Sequence, residues 1–296
     1  MGLFMSYQFQ NILGTFILDE QIKSVQLAKK SSPEIKLVPK EKITQALALF
    51  KDKKYFPDFY QKNLELTKLA IKKSVSEDNF IIQAIANINE LDKASNLLTK
   101  RLREWYGLYF PELEQKISSP EKLVELILTK ERKELLKELK IKETMGADLE
   151  KVHLQEILEL AKKIKELQDL RKKHEIYLET VMQKYSPNLL ELAGATLGAK
   201  LLELGKSLKH LALLPASTIQ LLGAEKALFR HIKTGSRSPK YGILFQHPLV
   251  QNAKKEDKGK AARMLADKLS LCARLDYFKG EFKAKEYRKE LEKKFS

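Results

Sequence analysis

Residues 147–185 hold the pattern that most limits the fold, because apolar side chains recur there at alternating intervals of three and four. Such spacing puts these side chains on one stripe of a helix, and so long a stripe needs a partner helix to cover it. A second charged stretch at 120–142 also has helical spacing, and Met145 and Gly146 mark a turn between the two. We therefore predict an antiparallel coiled coil whose stripe also pairs two copies of the chain. The stripe residues are Ile157, Leu160, Ile164, Leu167, Leu178 and Val181. Arg171 and His174 occupy two intervening positions, as a pH switch or specificity device or, alternatively, as a locally widened or solvated seam.

The charge of the chain points to a polyanionic partner. It has 55 Lys and Arg residues against 39 Asp and Glu residues, a formal net charge of +16, which favours nucleic acid. A membrane surface is the rival polyanion, but no apolar run approaches the roughly 20 residues that span a bilayer. The N-terminus lacks the basic start and apolar run of a secretory signal, and a single cysteine, Cys272, leaves no internal disulfide. We expect a cytoplasmic, intracellular protein in which Cys272 is a small core residue.

The N-terminal part predicts a small α/β domain. Residues 7–28 are typical of two short strands joined at Asp19 and Glu20, and residues 40–49 and 58–73 have helical spacing. A cluster of aromatic residues fits the core of this domain, and an exposed partner surface is the alternative for part of it. The cluster consists of Phe50, Tyr55, Phe56, Phe59 and Tyr60.

A long helix follows from Ser76, and Pro111 ends it. Its apolar residues recur in steps of three, four or seven and so define one stripe along the helix. The stripe consists of Ile81, Ile85, Ile88, Leu91, Leu98, Leu102 and Trp105.

The block at 192–250 holds most of the small residues and the most specific pattern of charge. Residues 224–232 predict a short helix whose apolar side, Ala227, Leu228 and Ile232, is spaced for burial, with cations on its other side. The loop at 235–240 has turn chemistry and presents further cations, so helix and loop together can approach phosphates from two directions. A merely solvated charged face is the alternative. The predicted contact residues are Lys226, Arg230, His231, Lys233, Arg237 and Lys240, with Gln246 and His247 as weaker candidates that the Pro248 turn could instead hold as structural residues.

Motifs for catalysis do not emerge. The LELGKS stretch ends like a phosphate-binding loop, but Lys200 stands where that loop requires glycine. Gly194 and Gly198 more simply allow close helix packing. No two of the five histidines have the spacing of a helical zinc site, and the carboxylates sit in helical charge patterns. We therefore expect no catalytic residue, no metal and no cofactor.

Three stretches resemble the Nop family, which comprises the core proteins of box C/D guide ribonucleoproteins and a related splicing factor. They are PASTIQLLGAEKALFRHIKTG at 215–235, REWYGLYFPEL at 103–113 and KGKAARMLADKLSLCARLDYF at 258–278. The resemblance implies a mainly α multidomain fold with a small α/β N-terminal domain, a long antiparallel coiled coil and an all-helical C-terminal Nop domain. The implied divisions are 1–115 for docking the methyltransferase fibrillarin, 116–186 for the dimerising coiled coil, 187–280 for the Nop domain and 281–296 for a basic tail.

By this resemblance the chain is a scaffold that performs no chemistry itself. It would hold fibrillarin against a kink-turn guide RNA and the small ribosomal-type protein bound to that RNA, so that a ribose 2′-hydroxyl of ribosomal or transfer RNA is methylated. The short tail favours the archaeal form of the family. The alternatives are a splicing-type protein of the family, a structural coiled-coil tether without specific RNA recognition, and an RNA-processing enzyme.

Overall fold

The computed structural model describes residues 7–23, 25–27 and 35–295. The chain forms two compact units, Met1–Ser76 and Glu77–Ser296. The sequence predicts a boundary near residue 115, whereas the observed boundary precedes Glu77. The reason is that the long helix starting at Glu77 packs against elements from the C-terminal half of the chain.

The first unit combines a four-stranded sheet, in the order β3–β2–β1–β4, with helices. Strand β2 pairs antiparallel with both β1 and β3, and β4 pairs parallel with β1. Its described elements are β1 Tyr7–Asn11, β2 Gly14–Leu18, β3 Val25–Leu27, β4 Lys36–Leu37, a 3-10 turn at Lys40–Lys42, α1 Ile43–Leu49 and α2 Phe56–Ser74.

The predicted hairpin is only partly correct. The chain does turn at Asp19 and Glu20, between β2 and β3, but the first predicted strand is two strands with a turn between Asn11 and Gly14. The Leu13 backbone N–H donates to the Asn11 side chain (2.8 Å), which closes the turn although its own residues are apolar. Gly14 adopts a φ of +140°, which favours glycine. Residue 28, the last of the predicted second strand, lies outside the described residues.

The predicted aromatic core is confirmed for Phe50, which is 2% exposed and meets Phe16 edge-on at 4.9 Å between ring centroids. Tyr55 and Phe59 are half-buried beside it, as part of the same apolar cluster. By contrast, the remaining two members of the predicted aromatic cluster, Phe56 and Tyr60, are exposed at the start of α2 and stack on one another at 6.0 Å. Helix α2 has no buried residue, so the alternative of an exposed surface holds for this part of the cluster.

The described part of the second unit contains helices and no strand, so the predicted mainly α class is confirmed. No described helix is long and apolar enough to cross a membrane. Its helices are α3 Glu77–Tyr106, α4 Pro111–Lys116, α5 Pro120–Thr129, α6 Arg132–Glu138, α7 Lys151–Tyr185, α8 Pro187–Ala193, α9 Ala195–Gly205, α10 Leu208–Leu213, α11 Ala216–Leu221, α12 Glu225–Thr234, α13 Pro248–Asn252, α14 Lys258–Tyr277 and α15 Ala284–Phe295, with a 3-10 turn at Ile243–Gln246.

The main partner of α7 is α3, which runs antiparallel to it within the same chain. Asn87 donates to His174 Nδ1 (2.6 Å), and Arg171 pairs with Asp92 one turn further along. Both polar residues of the predicted seam therefore bind α3. The predicted partner at 120–142 is wrong as a continuous arm, because the helix breaks at Lys130 and continues as the short α6.

The stripe predicted for pairing two copies is largely used inside one chain. Ile157, Ile164 and Leu178 are each 0% exposed, because α7 turns them toward apolar residues of its own unit. The assignment of these three residues to a dimer interface is wrong, since no surface remains for a second copy. Leu160, Leu167 and Val181 are half-buried and keep part of their surface. The predicted stripe of α3 is buried at Ile81, Ile85, Ile88, Leu91 and Leu102, while Leu98 is half-buried and Trp105 is 37% exposed.

A buried carboxylate joins the helices around residue 187 to the end of the chain. Asp276 accepts hydrogen bonds from the backbone N–H of Asn188 (3.0 Å), the backbone N–H of Leu189 (2.8 Å) and the Asn188 side chain (2.9 Å). The side-chain oxygen Oδ1 of Asn188 in turn accepts from the backbone N–H groups of Lys283 (2.8 Å) and Ala284 (3.1 Å). These bonds fasten the starts of α8 and α15 to the end of α14.

The predicted basic tail is instead a packed helix, α15. Its Leu291 is 1% exposed and belongs to the same apolar core as Cys272, whose predicted place in the core is confirmed. Burial raises the pKa of the Cys272 thiol to about 12. The prediction of close packing is confirmed at Gly198, where an added Cβ would lie 2.8 Å from Met182 Cε of α7. It is wrong at Gly194, where an added Cβ would meet no atom within 4 Å and the residue instead has a φ of +77°.

Candidate nucleic-acid interface

Helix α12 differs from the other described α-helices of the second unit because none of its residues is buried. The predicted short helix is confirmed and ends at Gly235, which adopts the left-handed conformation (φ +67°) that favours glycine. The predicted burial of Ile232 is wrong, because its side chain is 70% exposed. Phe229, which the sequence left unassigned, is 68% exposed. Ala227 and Leu228 of the predicted apolar side are half-buried, so only Phe229 and Ile232 are presented outward.

The predicted cations of α12 and its loop are all exposed. Within the described chain none of them pairs with a carboxylate, and the nearby Glu225 instead accepts from the Gly223 backbone N–H (2.7 Å). Unpaired cations on a short, fixed helix and loop produce a concentrated positive potential for phosphates. They are Lys226, Arg230, Lys233, Arg237 and Lys240, which together with Phe229 and Ile232 we call the α12 surface.

His231 fixes the loop that follows the helix. Its Nδ1–H donates to the Ser236 carbonyl, so the ring holds the start of the loop against the last turn of α12. At the far end of the loop, Gln220 of α11 donates to the Lys240 carbonyl. The loop is thus attached at both ends, which positions its cations relative to those of the helix.

The two weaker candidates lie in a different setting. Gln246 is exposed and accepts from Lys200 (3.2 Å). His247 is committed to the fold, because its Nε2–H donates to the Leu192 carbonyl (3.0 Å) and its Nδ1 accepts from the Leu249 backbone N–H (3.2 Å). Burial lowers the pKa of His247, so the ring stays neutral. Both ring nitrogens are already bonded, which favours the alternative that the Pro248 turn holds His247 as a structural residue.

The fold adds residues near the loop that the sequence did not single out. Tyr241 stacks on Phe245 with ring centroids 5.1 Å apart, and Lys258 lies over the Phe245 ring at 5.1 Å. Gly259 lies against the Lys240 side chain, at a distance where an added Cβ would be 3.4 Å from Cδ. The start of α14 therefore continues the positive surface. The spacing of Tyr241 and Phe245 is visible in the sequence, but only the fold brings Lys258 to them.

An all-helical domain that presents unpaired cations on an exposed helix and loop belongs to the class of nucleic-acid-binding modules. The exposed Phe229 and Ile232 beside those cations add apolar surface, which protein partners cover more readily than phosphates do. The described residues also contain no cluster of His, Cys, Asp and Glu that could hold a metal ion.

Comparison with known proteins gives the family. The model of the Nop domain, described as "snoRNA binding domain, fibrillarin", matches residues 87–296, so the chain belongs to the Nop family. A NOP5 family protein of Methanocaldococcus jannaschii is 43% identical over 247 residues, and Nucleolar protein 56 of Schizosaccharomyces pombe is 37% identical over 222 residues. These alignments cover 78% and 68% of this chain but only 59% and 45% of the two relatives.

A solved structure of a fibrillarin/Nop5p complex is also similar. Its matching chain is 26% identical, the match covers 97% of this chain and 99% of that chain, and the TM-score is 0.48.

Proposed function

We propose that the chain is a non-catalytic scaffold of a box C/D guide ribonucleoprotein, which bridges a fibrillarin 2′-O-methyltransferase to a kink-turn RNA and the small protein bound to it. The complex would methylate ribosomal or transfer RNA at sites chosen by the guide. The Nop family membership and the names of the relatives support this proposal.

The α12 surface is the observation that carries the proposal. Its five cations have no carboxylate partner in the described chain, so they are available to phosphates. Phe229 and Ile232 are about two-thirds exposed beside them, at 68% and 70%. A surface that bound only phosphates would not need these two apolar side chains. Their presence favours a composite partner, in which RNA meets the cations and a protein covers the apolar residues.

The methyltransferase would dock on α2 in the first unit. This helix has no buried residue, yet its side chains include Phe56 (49% exposed), Leu69 (53%) and Ile71 (63%). Helical spacing places Phe56 and Ile71 on one face of α2, together with the exposed Tyr60 (54%) and Leu64 (39%), whereas Leu69 lies on another face. Monomeric proteins rarely expose such an apolar stripe without a partner. Binding of a methyltransferase to residues 1–115 separates this function from that of a splicing-type relative.

The proposed homodimer would use the part of the α7 stripe that remains accessible. Leu160 and Leu167 are half-buried, and Leu170 is 40% exposed on the same side of the helix. Leu167→Glu with Leu170→Glu should change the molar mass measured by light scattering from that of a dimer to that of a monomer. Ile176→Glu, at a 66% exposed position of the same helix, is the matched control and should leave the dimer intact.

Reconstitution tests the function as a whole. The chain is combined with fibrillarin, the kink-turn-binding protein and a guide RNA, and methyl transfer to a matched target is measured. We expect transfer by the full mixture and none by the chain alone. Lys226→Glu with Arg230→Glu should abolish assembly and leave dimerisation intact, whereas the exposed pair Lys172→Glu with Lys173→Glu should assemble normally. Normal assembly by the first variant, or methyl transfer by the isolated chain, would contradict the proposal.

A further inference from the structure

A second surface that combines aromatic rings with lysines lies at the turn between α14 and α15. Phe278 is 71% exposed and Phe282 is 48% exposed, although neither ring is needed to cover the core. Three exposed lysines surround them, from α7, from the turn and from the start of α15. We define the turn surface as Lys184, Phe278, Lys279, Phe282 and Lys285.

Two lysines of the turn surface lie over aromatic rings, one over the neighbouring Tyr185 and one over Phe282. Lys279 Nζ lies over the Tyr185 ring at 5.4 Å from the centroid, and Lys285 Nζ lies over the Phe282 ring at 5.9 Å. Lysines held beside exposed rings present positive charge and a flat apolar face to the same ligand. This combination matches unpaired nucleotides, whose phosphates meet the cations while their bases stack on the rings.

Two acidic groups at the turn, Glu281 and Asp276, have partners other than the lysines of the turn surface. Glu281 pairs with Lys283 at 3.1 Å, which leaves the three lysines of the turn surface without an ion pair in the described chain. Asp276 is buried and accepts from the start of α8. The three lysines are therefore available to the phosphates of a ligand, although Glu77 lies beside Lys184.

Lys279 also occupies an unusual backbone conformation. Its φ of +57° lies in the left-handed region, where glycine is preferred, although a glycine follows at 280. A cleft of ≈190 Å³ opens beside it between Lys184 and Phe282. The strained residue thus places a cation at the mouth of a cleft with an aromatic wall.

The turn surface is separate from the α12 surface. Lys240 contacts the first turn of α14, at Gly259, whereas the turn surface lies at the other end of that helix. Twenty residues of helix place the two ends about 30 Å apart. One RNA could therefore contact both surfaces only with separate segments.

We propose that the turn surface is a second RNA-binding site, which holds unpaired nucleotides by stacking on Phe278 and Phe282 and by phosphate contacts from Lys184, Lys279 and Lys285. Charge complementarity and the accessible rings favour single-stranded RNA over a protein. The site does not depend on the α12 surface, so it can exist even if the proposed function of that surface is wrong.

Fluorescence anisotropy with a short labelled oligouridylate tests the site. The full chain carries Lys226→Glu and Arg230→Glu throughout, so that the α12 surface does not contribute. Adding Phe278→Ala and Phe282→Ala should weaken binding about 25-fold or more, since each stacked base contributes at least about fivefold. Leu97→Ala is the matched control, because Leu97 is also 71% exposed but has no place in the site, and it should have no effect.

The lysines are tested through the salt dependence of the same binding. Lys279→Gly suits the left-handed backbone, so it removes the charge without harming the fold. Together with Lys184→Ala and Lys285→Ala it should lower the slope of log K against log salt by about 2, since each phosphate contact in a single strand contributes about 0.7. Unchanged binding by the aromatic variant, an unchanged salt slope in the lysine variant, or equal competition by polyglutamate would overturn the proposal.

Discussion

The Asp276 junction should be among the most sensitive points of the second unit. Asp276→Ala removes the acceptor of three donors, the backbone N–H groups of Asn188 and Leu189 and the Asn188 side chain. Each buried donor left without a partner costs about 1–3 kcal/mol. Removing the carboxylate also removes the unfavourable burial of its charge, so we expect the free energy of unfolding to fall by a net amount of about 3–5 kcal/mol. Burial does raise the pKa of Asp276, which shows that the hydrogen bonds only partly offset its desolvation.

Thermal and urea unfolding followed by circular dichroism measure this loss. For a unit of this size it corresponds to a fall in Tm of roughly 10 °C. Asp276→Asn keeps one acceptor and avoids the buried charge, so it should lose about half as much. Glu281→Ala is the control, because that side chain is 80% exposed, and it should change the free energy of unfolding by less than about 0.5 kcal/mol. A decrease in the free energy of unfolding below about 1 kcal/mol for Asp276→Ala would refute the reasoning, since even one buried donor without an acceptor costs about that much.

Three further predictions concern the site and the helix pair. Burial lowers the pKa of His247 below its ordinary 6.5, so its contribution to stability is present above pH 6.5 and is lost as the pH falls through the lowered pKa. Urea unfolding across this range should show a smaller decrease in the free energy of unfolding for His247→Gln than for the unchanged chain. Ile164→Ala should lower the free energy of unfolding by about 2–5 kcal/mol at every protein concentration, because this side chain is buried within one chain; a concentration-dependent loss would instead indicate a dimer contact. Phe229→Ala with Ile232→Ala should weaken binding to a kink-turn RNA that carries its protein, measured by gel shift, and leave binding to naked RNA unchanged; equal weakening of both would contradict a composite partner.

Local patterns were sufficient for much of the fold. The length of α3, the extent of α7 and the short α12 follow from apolar spacing and from the prolines and glycines that end them. The exposure of Lys226 and Arg230 also follows, because charged side chains on a short amphipathic helix have no other stable place.

The choice of helix partner could not be predicted in this way. The stripe of α7 needs a partner, but its spacing is the same whether that partner is α3 or a second copy. The pairing of Asn87 with His174 and of Arg171 with Asp92 links residues about 80 positions apart, which no local pattern reports.

The exposure of Ile232 shows the opposite limit. Helical spacing predicts burial wherever apolar residues share a face of a helix. An apolar face that is exposed to bind another molecule has the same spacing, so the sequence pattern does not distinguish the two. The turn between Asn11 and Gly14 is a third case, because its two central residues are apolar and a hydrogen bond to the Asn11 side chain closes it.

A gel-shift titration on a kink-turn RNA, naked and then loaded with its kink-turn-binding protein, tests the central claim most directly. At near-physiological salt the account predicts strong binding to the loaded RNA alone, because the α12 surface needs both phosphates and a protein surface. Equal and strongly salt-dependent binding to any RNA would contradict it, since the cations would then act only as a general electrostatic patch on a structural tether.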